Sequence, residues 1–324
     1  MRVLVTGAAG LYGVHTVERL CKRDDVERVI GVDDLSRNFL DTDPFQLVDS
    51  PEVREKFEFI KMDFRGLDNI LLNKLDVDVV IHYAAYVSIP ESMEVPDKYF
   101  EVNELGTFNL CQNLLATRNQ PFLIYASSPE VYGTPIMKPM DIDHPMYPRS
   151  FYAVTKLAAE KHCHVLHQWY NYPVAIVRNF NTFGENQNVW SYSAVICNFI
   201  MRALRNEPLI IHNDGRQTRD FLYVKDAVRA YEMIVEKRKQ CKGEIFNIGT
   251  GKETSISDLA DIIIRLTHSH SGKEYSAGRS ADLAGLCADI SRAREKIGWM
   301  PEYSLEDGLL RTIDWYSKYV QKGA

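Results

Sequence analysis

Three glycines near the start of the chain constrain its fold more than any other feature. Arg2-Val3-Leu4-Val5-Thr6 is a short apolar, β-branched run, and Gly7, Gly10 and Gly13 follow it at three-residue spacing. The run reads as a buried strand ended by glycine. Residues 11–22 then read as a helix. A strand that turns on glycines into a helix opens a βαβ unit, and such units build parallel sheets. Glycine supplies positive φ in the turn and removes side chains that would hold a ligand away from the backbone. The helix beginning with Leu11 and Tyr12 aims its free N–H groups and positive dipole end into the same space, which suits a pyrophosphate.

The alternation continues. Further strands are expected at 28–32, 57–62, 77–82, 122–126 and 174–177, with long helices at about 99–118 and 150–170. The fold class is therefore α/β, a Rossmann-type doubly wound parallel sheet that binds ligands at the carboxyl ends of its strands. After about residue 180 the alternation loosens into helices and short strands such as 209–211 and 245–248. Residues 1–180 read as a dinucleotide-binding domain and 181–324 as a smaller mixed α/β substrate lobe, with an interleaved border. At 324 residues and 45% hydrophobic, the chain can bury a core of this size.

Other classes are disfavoured. The net charge is −6 with no basic stripe, which argues against a nucleic-acid partner. The six cysteines are scattered without a Cys-x-x-Cys pair, as expected for reduced thiols in the cytoplasm. No apolar stretch reaches the ~18 residues of a membrane helix, and Met1 runs straight into a strand, so no signal peptide is expected. His162, His164 and His167 read as a helix face, and His82 as a packed strand end; no metal site is assigned.

Two further patterns carry chemistry. Asp33 lies 20 residues past Gly13 at the end of the second strand, where a carboxylate accepts both ribose hydroxyls of an adenosine and repels a 2′-phosphate. NAD is thereby favoured over NADP, although Arg37 is near; Asp34 joins Asp33 as a candidate cofactor-binding residue, and either aspartate could instead cap a turn. Asp63 ends the third strand, within expected reach of an adenine amino group. Tyr152 and Lys156 share a helix face. A cation beside a phenol favours the phenolate, lowering a reference pKa of ~10.

The ordered motifs extend this. Thr6-Gly7-Ala8-Ala9-Gly10-Leu11-Tyr12-Gly13 is followed by Met62-Asp63-Phe64, His82-Tyr83-Ala84-Ala85, Asn103-Glu104-Leu105-Gly106-Thr107 and Ser127-Ser128-Pro129-Glu130-Val131-Tyr132-Gly133. Then come Tyr152-Ala153-Val154-Thr155-Lys156, Arg178-Asn179-Phe180-Asn181-Thr182-Phe183-Gly184, Gln217-Thr218-Arg219-Asp220-Phe221 and Asn247-Ile248-Gly249. Along nearly its whole length the chain resembles the extended short-chain dehydrogenase/reductases of the nucleotide-sugar epimerase/dehydratase family. It looks like the UDP-glucose 4-epimerases, with features of UDP-glucuronate decarboxylases.

The resemblance implies a role for each matching residue. Tyr152 is the acid/base at a sugar hydroxyl, Lys156 binds the nicotinamide ribose, and Ser128 hydrogen-bonds the reacting oxygen. Ser36, Phe64, Tyr83, Ala84 and Ala85 join the cofactor contacts, and Asn103 supports them. Ser88, Asn181, Arg219 and Arg279 contact the sugar or its diphosphate. NAD is the expected cofactor, a nucleoside-diphosphate sugar the substrate, and a homodimer built on the two long helices the expected assembly. Oxidation at C4 gives a 4-keto sugar with three exits: epimerisation, 4,6-dehydration, or decarboxylation of a uronate. Pro129 cannot give a proton to a departing hydroxyl, which counts against dehydration, whereas Glu130 is the residue type that C5 proton abstraction needs. The reading is C4 epimerisation of a UDP-hexose, with dehydration or decarboxylation as the alternative and a non-catalytic NAD-binding scaffold as the second.

Overall fold

A computed structural model of the chain describes residues 1–37, 44–45, 50–188, 195–277 and 285–320. Strand β1 (Arg2–Thr6) leads through the glycine turn into the helix Leu11–Cys21. Strands β2 (Arg28–Asp33), β3 (Phe57–Lys61), β4 (Val79–His82), β5 (Phe122–Ser127) and β6 (Val174–Asn179) follow. The seventh strand of the sheet is Ile245–Ile248, one of the short strands expected in the last third of the chain. It pairs with β6, Ile245 opposite Ile176. The order is Ile245–Ile248, β6, β5, β4, β1, β2, β3, and every pairing is parallel.

Side chains alternate across this sheet, so each strand feeds two cores. Val3, Val5, Ile81, Ala175 and Val177 bury against the helices Leu11–Cys21 and Val224–Glu236. Leu4, Val80, Leu123, Val174 and Ile176 point the other way, toward the helix Phe151–Tyr170. A third cluster, around Phe199, Leu259 and Tyr316, belongs to the helices Val195–Leu204, Ile256–Thr267 and Leu305–Val320.

The sequence order reverses at β1, whose neighbours are β2 on one side and β4 on the other. A crevice opens at such a point. The helix expected at 99–118 is broken. A π-helical stretch, Phe100–Gly106, separates a short helix from Thr107–Leu115. Asn103 sits in that stretch, and a π-turn commonly marks a functional position.

Candidate active site

The carboxyl ends of β1, β2, β4, β5 and β6 open into one cleft of about 390 Å³. Its floor is the glycine turn. Gly7 has φ +71°, and an added Cβ would lie 2.8 Å from the Ala84 nitrogen, so only glycine lets the β1 and β4 ends meet. At Gly10 the same Cβ would meet only the Gly7 carbonyl, at 3.3 Å, so the turn stays open on the cleft side. Gly10 is the N-cap of Leu11–Cys21 and brings no side chain to cap it. The first N–H groups of that helix are thus left for an anion. Gly13 does not reach the cleft. It is buried behind the turn, where a Cβ would lie 2.2 Å from the Gly7 carbonyl, and its role is helix–strand contact.

Asp33 lines the cleft at the end of β2. Its Oδ2 accepts from the Ala9 N–H at 3.1 Å and its Oδ1 from Leu35 at 2.8 Å, which leaves each oxygen a further lone pair. Burial pushes the carboxyl up, against those two donors. Asp34 accepts from the Ser36 N–H at 2.9 Å and shapes the following turn; both residues line the cleft with Leu11, Tyr12 and Phe64. Asp63 lines it too, but its carboxylate is held by Arg65 at 2.6 Å, which draws its pKa down. The adenine contact expected at Asp63 would thus have to share its carboxylate with Arg65, a partner the sequence does not announce. Tyr83, Ala84 and Ala85 form the wall after β4. Tyr83 stacks on Tyr12 at 5.3 Å and tilts against Tyr231 at 4.8 Å. Asn103 acts from behind: it accepts from the Tyr86 N–H at 2.8 Å and donates to the Tyr86 carbonyl at 2.9 Å, clamping the backbone that carries this wall.

At the other end of the cleft stand Ser128, Glu130, Tyr152 and Lys156. Ser150 caps the helix Phe151–Tyr170, accepting from the Ala153 N–H at 3.1 Å, so Tyr152 falls in its first turn and points into the cleft. Ser128 caps the short helix Pro129–Tyr132, accepting from the Glu130 N–H at 3.3 Å. Its hydroxyl also bonds the Tyr152 phenol, which favours the phenolate. Lys156 is buried; its Nζ donates to the Ala126 carbonyl at 2.5 Å and lies 4.4 Å from the centre of the Tyr125 ring.

The electrostatics correct one expectation. Burial pushes the Tyr152 phenol up to about 12, opposed by Ser128 and reinforced by Glu130. Burial also draws the Lys156 amine down to about 7. The two share a helix face as expected, but the protein's own groups hold Tyr152 as a neutral acid. Desolvation is the largest cause for both groups, and it disfavours the charged form of each.

The remaining assignments fall unevenly. Ser88 lines the cleft, with its hydroxyl capping the helix Ile89–Glu94. Asn181 also lines it, and its Oδ1 is buried without a hydrogen-bond partner. Arg219 stands in a two-stranded pair with Thr254, outside the cleft walls, and donates to the Thr218 carbonyl. Arg279 lies outside the described residues. Sequence reasoning missed a latch from the loop after Phe183: Asn186 donates to the Ala9 carbonyl at 2.9 Å and Asn188 to the Arg37 carbonyl at 2.8 Å. The turn signal Gly184-Glu185-Asn186, with positive φ at Gly184 and Asn186, marks this loop. His82 is a packed strand end, as read: it bonds Thr6 at 2.7 Å and Thr107 at 3.1 Å, and burial draws it down to about 3. Among the described residues no helix is long and apolar enough to cross a membrane.

The parts of this cleft suit a dinucleotide with a sugar nucleotide at its far end, and known proteins agree. The chain is 35% identical over 97% of both chains to a putative UDP-glucose 4-epimerase of Methanocaldococcus jannaschii. It is 32% identical over 98% of both chains to a UDP-glucose 4-epimerase of Mycolicibacterium smegmatis. Among solved structures, the UDP-glucuronic acid 4-epimerase of Bacillus cereus, in complex with UDP-glucuronic acid and NAD, superposes with a TM-score of 0.90. It is 31% identical, over 98% of this chain and 100% of that one. Residues 4–312 match the family model described as GDP-mannose 4,6 dehydratase, and the chain belongs to that family of NAD-dependent nucleotide-sugar epimerases and dehydratases.

Proposed function

We propose that the protein is an NAD-dependent 4-epimerase of a UDP-hexose. The observation that carries this is the convergence of Tyr152, Ser128 and Lys156 at one end of a cleft whose other end is the glycine turn and Asp33. The residues fit the dinucleotide: the open face at Gly10 and the uncapped helix N-terminus suit its pyrophosphate, Asp33 its adenosine ribose, and Lys156 its second ribose. Bound NAD supplies the hydride acceptor and donor.

The chain's own groups handle the proton. Tyr152 takes it from the sugar 4-hydroxyl and returns it when the alcohol re-forms. Ser128 donates to the same oxygen and orients it. A phenol held near 12 becomes a base only where positive charge favours the phenolate, and a protonated Lys156, one helical turn away, would supply such a charge. Residues 1–180 hold the cofactor in this reading and 181–324 receive the nucleotide end of the substrate, with Asn186 and Asn188 tying the two across the cleft mouth.

A second reading, 4,6-dehydration or uronate decarboxylation, draws on Glu130 in the cleft wall. Pro129 counts against dehydration: it is buried at the first position of its short helix and has no proton to give. Incubation of the purified protein with UDP-, GDP-, CDP- and dTDP-sugars separates these outcomes by mass. Product of unchanged mass from UDP-glucose or UDP-galactose is the expected result. Loss of water or of CO2 overturns it.

The enzyme works in the cytoplasm as a homodimer in this proposal. All six cysteines are buried and free, which suits a reducing compartment. Phe100, Leu105 and Phe108 lie exposed beside Phe151, Val154, Val165 and Trp169 on two neighbouring helical segments. A contiguous apolar face of this kind marks an interface, and a two-fold pairing buries both copies of it. Leu105→Glu combined with Val154→Glu is expected to give a monomer by sedimentation where the parent is a dimer.

A further inference from the structure

Directly behind the site lies a buried charged cluster that none of these roles uses. Glu160 sits one helical turn beyond Lys156 on the same helix, and Arg178 is the penultimate residue of β6; they are 1% and 0% exposed. The pair is two-pronged: Arg178 Nη2 meets Glu160 Oε1 at 2.5 Å and Nε meets Oε2 at 3.1 Å. Ser127, the last residue of β5, donates to Glu160 Oε2 at 2.7 Å. On its other side Arg178 donates from Nη1 to the Tyr132 hydroxyl at 2.6 Å and to the Ile142 carbonyl at 3.0 Å. Its guanidinium also lies over the Tyr132 ring. The Tyr132 hydroxyl donates to Asn247 Oδ1 at 2.7 Å, and Asn247 Nδ2 donates to the Met140 carbonyl at 2.8 Å.

Each element this cluster touches carries part of the site. Glu160 shares its helix with Tyr152 and Lys156. Ser127 precedes Ser128. Tyr132 closes the short helix that holds Glu130. An apolar pair of similar volume would serve stability alone at least as well, since burying two charges is unfavourable. A bidentate guanidinium–carboxylate pair adds what apolar contact lacks, a fixed angle as well as a distance.

We propose that Glu160 and Arg178, extended by Tyr132, are positioning residues that set the spacing between the Tyr152–Lys156 helix and the Ser128–Glu130 turn. The proposal rests on the epimerase reading above. Three variants test it, each assayed as holoenzyme per mole of bound NAD. Tyr132→Phe keeps the ring over Arg178 and removes only the hydroxyl link. Glu160→Gln keeps the shape but leaves the Arg178 charge unpaired. Glu160→Gln with Arg178→Met removes both charges together.

Positioning requires kcat to fall on the order of 100-fold in Glu160→Gln, the scale of a misplacement of about 1 Å, with substrate KM little changed. The double variant is expected to regain melting temperature over Glu160→Gln without regaining kcat, and Tyr132→Phe to lose kcat with its fold intact. If Glu160→Gln does not fold, the other two variants decide. Parent-like kcat per bound NAD in both Tyr132→Phe and the double variant overturns the proposal and leaves a structural ion pair. A parent protein that converts no sugar nucleotide sinks the epimerase reading itself, and this proposal with it. An active parent whose variants match it sinks the proposal alone.

Discussion

Replacing Tyr152 by phenylalanine is expected to lower kcat by about 10³-fold, the middle of the range for a lost general acid/base, with the fold and NAD binding retained. The substitution removes one oxygen. The ring stays in its buried place, edge-on to Tyr99 at 6.4 Å. Lys156 keeps the Ala126 carbonyl and Ser128 keeps the Glu130 N–H, losing only the bond between its hydroxyl and the phenol. KM for the sugar nucleotide should therefore change far less than kcat, because the phenol acts on the proton and contributes little to ground-state binding. Steady-state turnover and fluorescence titration of cofactor check the two halves separately. A variant that turns over within tenfold of the parent would place proton transfer elsewhere, with Glu130 the next candidate. A variant inactive only because it lost NAD would count against the assignment of Tyr152 as acid/base.

What the sequence disclosed and what it concealed divide along a physical line. The glycine turn was legible because its chemistry is local: three spaced glycines between a β-branched run and a helix leave one conformation and one ligand class. Asp33 was legible for the same reason, being tied to that turn by chain distance. The Tyr152–Lys156 pair needed only helical period. Contacts between distant segments were not legible. Ile245–Ile248 completes the sheet from the last third of the chain, and nothing in its four residues says that Ile176 is opposite. Asn186 bonds Ala9, 177 residues earlier in the chain. The π-turn at Asn103 looks like ordinary helix in the sequence because the extra residue per turn carries no compositional mark. Charge state was the least legible of all. Spacing alone suggests that Lys156 acidifies Tyr152, but burial decides the matter, and burial is a property of the assembled walls. Arg219 shows the same limit, since a motif match gives residue type and chain position and not which wall the side chain joins.

That burial makes Lys156→Met the more revealing second test. In the fold the Lys156 amine has a pKa of about 7, far below the ~10.4 of an exposed lysine. Between those two values the unfolded chain holds a proton that the folded chain has released, so this group makes stability rise with pH across that window. Tyr152 acts in the opposite sense higher up. Its phenol stays protonated to about 12 in the fold but ionises near ~10 when unfolded, so stability falls as pH climbs past ~10. Burial also pushes up the thiols of Cys21, Cys197, Cys241 and Cys287 and the phenols of Tyr83, Tyr125 and Tyr231, which titrate in the same range, so each variant is read against the parent. In cofactor-stripped protein the melting-temperature advantage of Lys156→Met should shrink as pH rises from 7 toward ~10, and Tyr152→Phe should gain on the parent above ~10. At pH 7 the methionine variant gains on the order of 1 kcal/mol, a typical trade of function for stability, even though the Ala126 carbonyl loses its donor. Its kcat should nonetheless drop by about 10²-fold or more, because the second ribose and the phenolate both lose their cation. A lysine present only for structure predicts the reverse on both counts: a methionine variant that melts lower and turns over normally.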